Sequence, residues 1–141
     1  MKSLLVLIFL FSPQLFAQTA DTLEQYPGLH VLGGELGPDY EYRFISKEIS
    51  ENIIEQLLND LDWIDGFHQV ILVSEPSVSI EVGGSMSPEH GLSGVFRDYR
   101  NEENKIHLVT EFPPTNIGQM KQILVLFSVK NENWKSLYGF K

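Results

Sequence analysis

The chain has 141 residues, with 10 Lys and Arg against 19 Asp and Glu, a formal net charge of −9 and no cysteine. Nucleic acid and anionic lipid surfaces repel so acidic a chain, so neither is expected as a partner. A basic protein partner would be attracted to it, the alternative being that the charge only keeps the protein soluble. Without disulfides, packing alone must hold the fold.

The first 17 residues have the layout of a secretory signal peptide. Met1–Ser3 carries one positive charge, Leu4–Phe11 is unbroken apolar sequence, and Ala17 suits signal peptidase. This run is too short to span a bilayer, and no other apolar run approaches the ~20 residues of a membrane helix, so no membrane insertion is expected after cleavage. We therefore expect a single exported domain, residues 18–141, located in a bacterial periplasm because it lacks cysteine.

The first part of this domain predicts two strands and a helix. Leu29–Leu32 is a short strand, Gly37–Asp39 a turn, and residues 40–45 alternate as a strand with an aromatic face. Ser46 is the expected N-cap of the helix, which Asp65–Gly66 ends. Its apolar residues recur at helical spacing: Ile49, Ile53, Ile54, Leu57, Leu58 and Leu61.

The second part predicts consecutive strands and another helix. Two strands, 69–74 and 77–82, form a hairpin, and a long loop, Gly83–Gly91, leads to two more, 92–99 and 105–110. Thr115 is the expected N-cap of the second helix, and the aromatic residues after Trp134 form a tail or a last strand. Short connections favour antiparallel pairing. The expected fold class is α+β: an antiparallel sheet of about five or six strands with two helices packed on one face.

No pattern of catalytic, metal-binding or cofactor-binding residues is present. The four histidines lack metal-ligand spacing, and the set Ser85, His90 and Asp98 has no nucleophile motif around it. The Gly-rich loop lacks a phosphate-binding signature, so we expect no cofactor and interpret the loop as a partner-binding surface. The candidate partner-binding residues are Ser85, Met86, Glu89, His90, Arg97 and Asp98.

Three short segments carry a family resemblance. They are the strand–loop–strand stretch 80–98, Pro113–Thr115 before a helix, and Asn133–Lys135 near the C-terminus. Together, over about residues 69–140, the chain resembles small immunity proteins of bacterial polymorphic toxin systems. The resemblance implies an α+β protein that binds and blocks one cognate toxin. Many immunity proteins stay in the cytoplasm, so the signal peptide implies a toxin that acts in the periplasm, on peptidoglycan or the membrane.

The expected function is therefore that of a non-enzymatic periplasmic protein that binds a protein partner, as an immunity protein that acts by occlusion. One alternative is a periplasmic accessory or small-ligand-binding module of the cell envelope. Another is a small hydrolase whose catalytic residues lack a recognisable spacing. The sequence leaves the oligomeric state open.

Overall fold

A computed structural model describes residues 25–35 and 41–141. The predicted signal peptide and the turn at 37–39 lie outside the described residues. In chain order the elements are β1 (Gly28–Glu35), β2 (Glu41–Ser46), α1 (Glu51–Asp60), β3 (Gly66–Glu75), β4 (Val78–Ser85), β5 (Gly91–Asp98), β6 (Ile106–Val109), α2 (Ile117–Ser128) and α3 (Asn133–Leu137).

The strands form one antiparallel sheet in the order β2-β1-β3-β4-β5-β6. The predicted α+β class is confirmed. Every connection from β3 to β6 is a hairpin, because Val-, Ile- and Ser-rich strands alternate with short polar turns. Antiparallel pairing places the α1–β3 loop and the β4–β5 loop at the same end of the sheet.

The core lies between the sheet and the helices. Leu57 and Leu58 of α1 and Met120, Ile123 and Leu124 of α2 share one buried cluster with alternate residues of the central strands. The strand residues of this cluster are Leu29, Val31, Val70, Leu72, Ile80, Val82 and Leu92. Both long helices therefore cover the same face of the sheet, as their apolar stripes predict.

The opposite face of the sheet carries a smaller cluster and polar groups. Ile71 and Val73 pack with Tyr42. His30, fully buried beside them, hydrogen-bonds Tyr42 Oη at 3.0 Å and the Tyr26 carbonyl at 2.8 Å. Burial lowers the pKa of His30, so its ring is neutral at pH 7. Since a carbonyl only accepts, Nε2 carries the one proton and Nδ1 accepts from the tyrosine. His30 is thus a neutral structural residue.

Both helices begin at different N-caps from those predicted. Ser46 is the last residue of β2, and its hydroxyl donates to the Glu48 carbonyl at 2.6 Å. Ser50 caps α1 by accepting from the Ile53 amide at 3.2 Å. Asn116, one residue after Thr115, caps α2 and accepts from the Gln119 amide at 2.8 Å. The segment before each of these helices holds two residues able to cap, and the backbone conformation decides which one does so.

The predicted nine-residue loop after β4 is wrong, because β4 continues through Gly83–Gly84 to Ser85 and leaves only residues 86–90 as loop. Gly84 permits this pairing: its φ is +120°, and a Cβ there would lie 2.2 Å from the Gly91 carbonyl oxygen. Glycine here keeps a strand closely paired and does not open a loop.

The bounds of β1, β3 and the C-terminal segment also differ from the predicted ones. β1 likewise continues through Gly33–Gly34, and β3 begins at Gly66 instead of Gln69. The C-terminal aromatic segment forms the short helix α3, after which Phe140 makes an isolated bridge to Thr110. Within 25–35 and 41–141, no helix is long and apolar enough to cross a membrane.

Candidate functional site

Two loops meet at one end of the sheet around a single carbonyl group. Trp63 lies in the α1–β3 loop, and its carbonyl accepts from the Met86 amide at 2.6 Å and from Ser85 Oγ at 3.0 Å. The Trp63 indole is buried and donates to the Leu58 carbonyl at 2.8 Å. Loop 61–65 and loop 86–90 are therefore fixed to each other and to the core.

The surface that these loops share is acidic around exposed apolar side chains. Ile64 is 67% exposed and Met86 is 40% exposed. Asp62, Asp65 and Glu89 are exposed in the same two loops, which contain no Lys or Arg. We call the surface formed by loops 61–65 and 86–90 the acidic platform. Exposed apolar side chains with a polar rim are typical of a protein-binding surface.

Local hydrogen bonds order the platform and keep it negative. Asp62 Oδ1 accepts from the Asp65 amide at 3.1 Å and from the Ile64 amide at 3.0 Å. These two backbone bonds lower the pKa of Asp62, with the Asp65 amide the largest cause. The carboxylate therefore remains ionised at neutral pH.

One histidine of the platform and one in the adjoining strand β3 lie beside aromatic rings. His90 packs edge-on against Phe67 at 6.2 Å between ring centroids, and His68 packs edge-on against Trp63 at 5.5 Å. Burial is the largest cause acting on the pKa of His68 and lowers it. His68 therefore adds no positive charge to the platform at neutral pH.

The structure brings three of the six predicted partner-binding residues together and separates the other three from them. Met86, Glu89 and His90 are exposed together in loop 86–90 and remain candidates. Ser85 cannot contact a partner through its side chain, because it is fully buried and its hydroxyl also accepts from the Ser87 amide at 3.1 Å. The sequence predicts Ser85 in an open loop, whereas the residue ends strand β4, and this explains why its side chain is buried and not exposed.

Arg97 and Asp98 lie at the far end of β5, about 20–23 Å from Gly91 at ~3.3 Å per residue. Arg97 pairs with Glu81 at 2.9 Å on the helix-free face of the sheet. Asp98 pairs with Arg100 at 2.7 Å, and the hydrogen bond from that guanidinium lowers the pKa of Asp98. Neither belongs to the platform, and Ser85, His90 and Asp98 do not meet as a catalytic triad.

Sequence reasoning missed the contribution of loop 61–65. Asp65–Gly66 is interpreted there only as a helix stop, although Asp62-Trp63-Ile64-Asp65 places two large apolar residues between two acidic ones. That arrangement is the available signal. Among the described residues, no group of three or more His, Cys, Asp or Glu side chains is placed to hold a metal ion.

Comparison with known proteins gives no match at any level: no family model, no curated protein and no solved structure matches the chain.

Proposed function

We propose that this protein is exported to the periplasm and binds a basic protein partner through the acidic platform, acting as an immunity protein that occludes a cognate toxin. The observation that carries the proposal is the Trp63 carbonyl, which holds two loops as one surface with Ile64 and Met86 exposed. A preformed surface binds with less loss of conformational entropy than two mobile loops.

Charge supports the choice of partner. Asp62, Asp65 and Glu89 are exposed in the same two loops as Ile64 and Met86, and neither loop contains a Lys or Arg. Opposite charge accelerates encounter, and the desolvated apolar centre supplies affinity. A basic surface, such as the groove of an enzyme that acts on an anionic polymer, fits this pattern.

The resemblance to immunity proteins and the layout of residues 1–17 support the remaining parts of the proposal. The resembling region, about 69–140, supplies loop 86–90, one half of the platform. Occlusion needs no reacting group, so exposed apolar and acidic side chains suffice for it. The sequence of the first 17 residues supports encounter outside the cytoplasm.

The test begins with capture of a partner from periplasmic extract and its purification. Ile64→Lys should weaken binding of the purified partner at least about tenfold, because it places a charge in the apolar centre of the interface. Val129→Lys is the matched control, since Val129 is also β-branched and 64% exposed but lies after α2. It should bind like the wild type.

Three results would contradict the proposal. Equal weakening by both variants would show that the platform is not the binding surface. Turnover of a substrate that disappears in His90→Ala would show that the protein is an enzyme. If the captured partner keeps its full catalytic activity in the presence of the wild-type protein, occlusion is excluded. Inhibition by the wild type that is lost with Ile64→Lys would support occlusion.

A further inference from the structure

A cleft lies at the other end of the sheet, on the helix side. Its volume is about 450 Å³, within the range of roughly 300–1,000 Å³ typical of small-molecule sites. Three aromatic rings line it: Trp134 lies 5.1 Å from Phe96 and 5.8 Å from Phe127 between ring centroids. Such a lining favours a planar apolar group, which can stack on aromatic rings.

The cleft also carries cations, two of which are already neutralised. Arg100 pairs with Asp98 at 2.7 Å and with Glu75 at 2.7 Å. Lys135 lies 3.3 Å from Glu132 and over the Trp134 ring at 5.3 Å. Lys130 is exposed on the wall of the cleft and makes no ion pair within the described part of the chain. It is therefore available to an anion.

A second groove adjoins the cleft beside Lys130. This groove has a volume of about 220 Å³ and shares Ser74, Phe127 and Lys130 with the cleft. Lys47 lines it. An anionic group placed where cleft and groove meet would thus face Lys130 directly and have a second ammonium nearby.

The backbone at Lys130 is an independent observation. Its φ is +58°, directly after the end of α2, where its amide donates to the Phe127 carbonyl at 3.1 Å. Glycine is the usual residue at this left-handed position, because a Cβ is disfavoured there. A lysine at a position that favours glycine indicates a use for its side chain, and that side chain lines the cleft.

We infer that the cleft binds a small organic anion with a planar apolar body, the ring lying against the half-buried Phe96 and Phe127, with the buried Trp134 behind them, and the anionic group against Lys130. This inference stands independently of the proposed protein partner, because the cleft and the acidic platform lie at opposite ends of the sheet. Apolar stacking positions the ligand, and the ammonium selects its charge.

Two probes with the same ring separate these contributions: 2-naphthoate, an anion, and 2-naphthylmethanol, which is neutral. Each is titrated into the isotopically labelled protein while the two tryptophan indole N–H resonances are followed. The Trp134 resonance should shift, and that of Trp63, buried beside the platform, should stay in place. Naphthoate should bind at least about tenfold more tightly, as expected for a charge-assisted contact.

Variants at Lys130 test the role of its side chain. Lys130→Met should reduce naphthoate affinity about tenfold and leave naphthylmethanol affinity unchanged. Lys141→Met, which removes a lysine paired with Glu111, is the matched control and should change neither. Lys130→Gly should lose naphthoate affinity while raising the thermal midpoint, because glycine relieves the left-handed backbone. A purely structural residue would not move these two readouts in opposite directions.

Two outcomes would overturn the inference. One is the absence of any Trp134 shift with either probe at millimolar concentration. The other is naphthoate binding that Lys130→Met leaves unchanged, which would place the anion elsewhere.

Discussion

Ser85→Ala tests whether the two loops of the acidic platform are fixed by the contacts around Trp63. The Ser85 hydroxyl is fully buried, donates to the Trp63 carbonyl at 3.0 Å and accepts from the Ser87 amide at 3.1 Å. Alanine removes both bonds. The Trp63 carbonyl keeps the Met86 amide, and the Ser87 amide is near solvent, so neither partner becomes a fully buried orphan.

The magnitude follows from these partners. Each hydrogen bond contributes a net ~0.5–1.5 kcal/mol, so the loss of two should lower the free energy of unfolding by about 1–3 kcal/mol. Part of the loss should be local. Opening of loop 86–90 becomes easier, and the Met86 and Ser87 amides should exchange with deuterium up to about tenfold faster.

Urea unfolding and amide exchange by mass spectrometry measure the two effects. Ser93→Ala is the matched control, because Ser93 is exposed on β5. Its change should stay within about 0.5 kcal/mol. A Ser85→Ala protein with unchanged stability and unchanged exchange in loop 86–90 would refute the argument that this hydroxyl links the loops.

The remaining predictions concern the core, pH and export. Leu57→Ala should cost about 2–5 kcal/mol in urea unfolding because Leu57 is buried between α1 and the sheet, and a change below about 0.5 kcal/mol would be incompatible with that packing. Burial lowers the pKa of His30 from its usual 6.5, so the unfolded chain binds the extra proton and stability should fall as pH drops below about 6.5. Thermal melts from pH 8 to 5 should show a weaker pH dependence in His30→Gln, and an identical dependence would contradict this assignment. Intact-mass analysis of periplasmic protein should give a chain that begins at Gln18, whereas retention of Met1 would contradict export by cleavage.

Much of the fold could be predicted because it depends on local pattern. Alternation in strands such as 78–82 and the apolar stripe of α1 report directly which side chains face the core. The predicted start of α1 differs from the observed one because Ser46 and Ser50 are both able to cap a helix. The predicted end of β4 differs from the observed one because Gly83–Gly84 has the composition of a loop but pairs as part of a strand.

The candidate sites depend on contacts that sequence patterns do not contain. Trp63 and Ser85 are 22 residues apart, and only the paired sheet brings them together. Arg97 and Asp98 follow the loop closely in sequence, yet a strand carries them to the other end of the molecule. The sequence does not single out Lys130, because its left-handed backbone and its place on the wall of the cleft are seen only in the structure.

The central claim is that the acidic platform recognises a basic protein, and association kinetics with the captured partner test it most directly. Glu89→Arg and Glu103→Arg change the net charge equally, but Glu89 lies on the platform and Glu103 in the β5–β6 turn at the opposite end of the sheet. The rate constant is measured for both variants, the wild type and His90→Ala across a salt series.

Association of the wild type should be fastest at low salt, where screening is weakest. Glu89→Arg should slow it by about tenfold, well beyond the effect of His90→Ala, and Glu103→Arg should change it only slightly because distant exposed charges are screened beyond ~10 Å. Association that is independent of salt, or that slows equally in Glu89→Arg and Glu103→Arg, would contradict recognition of a basic partner by the platform.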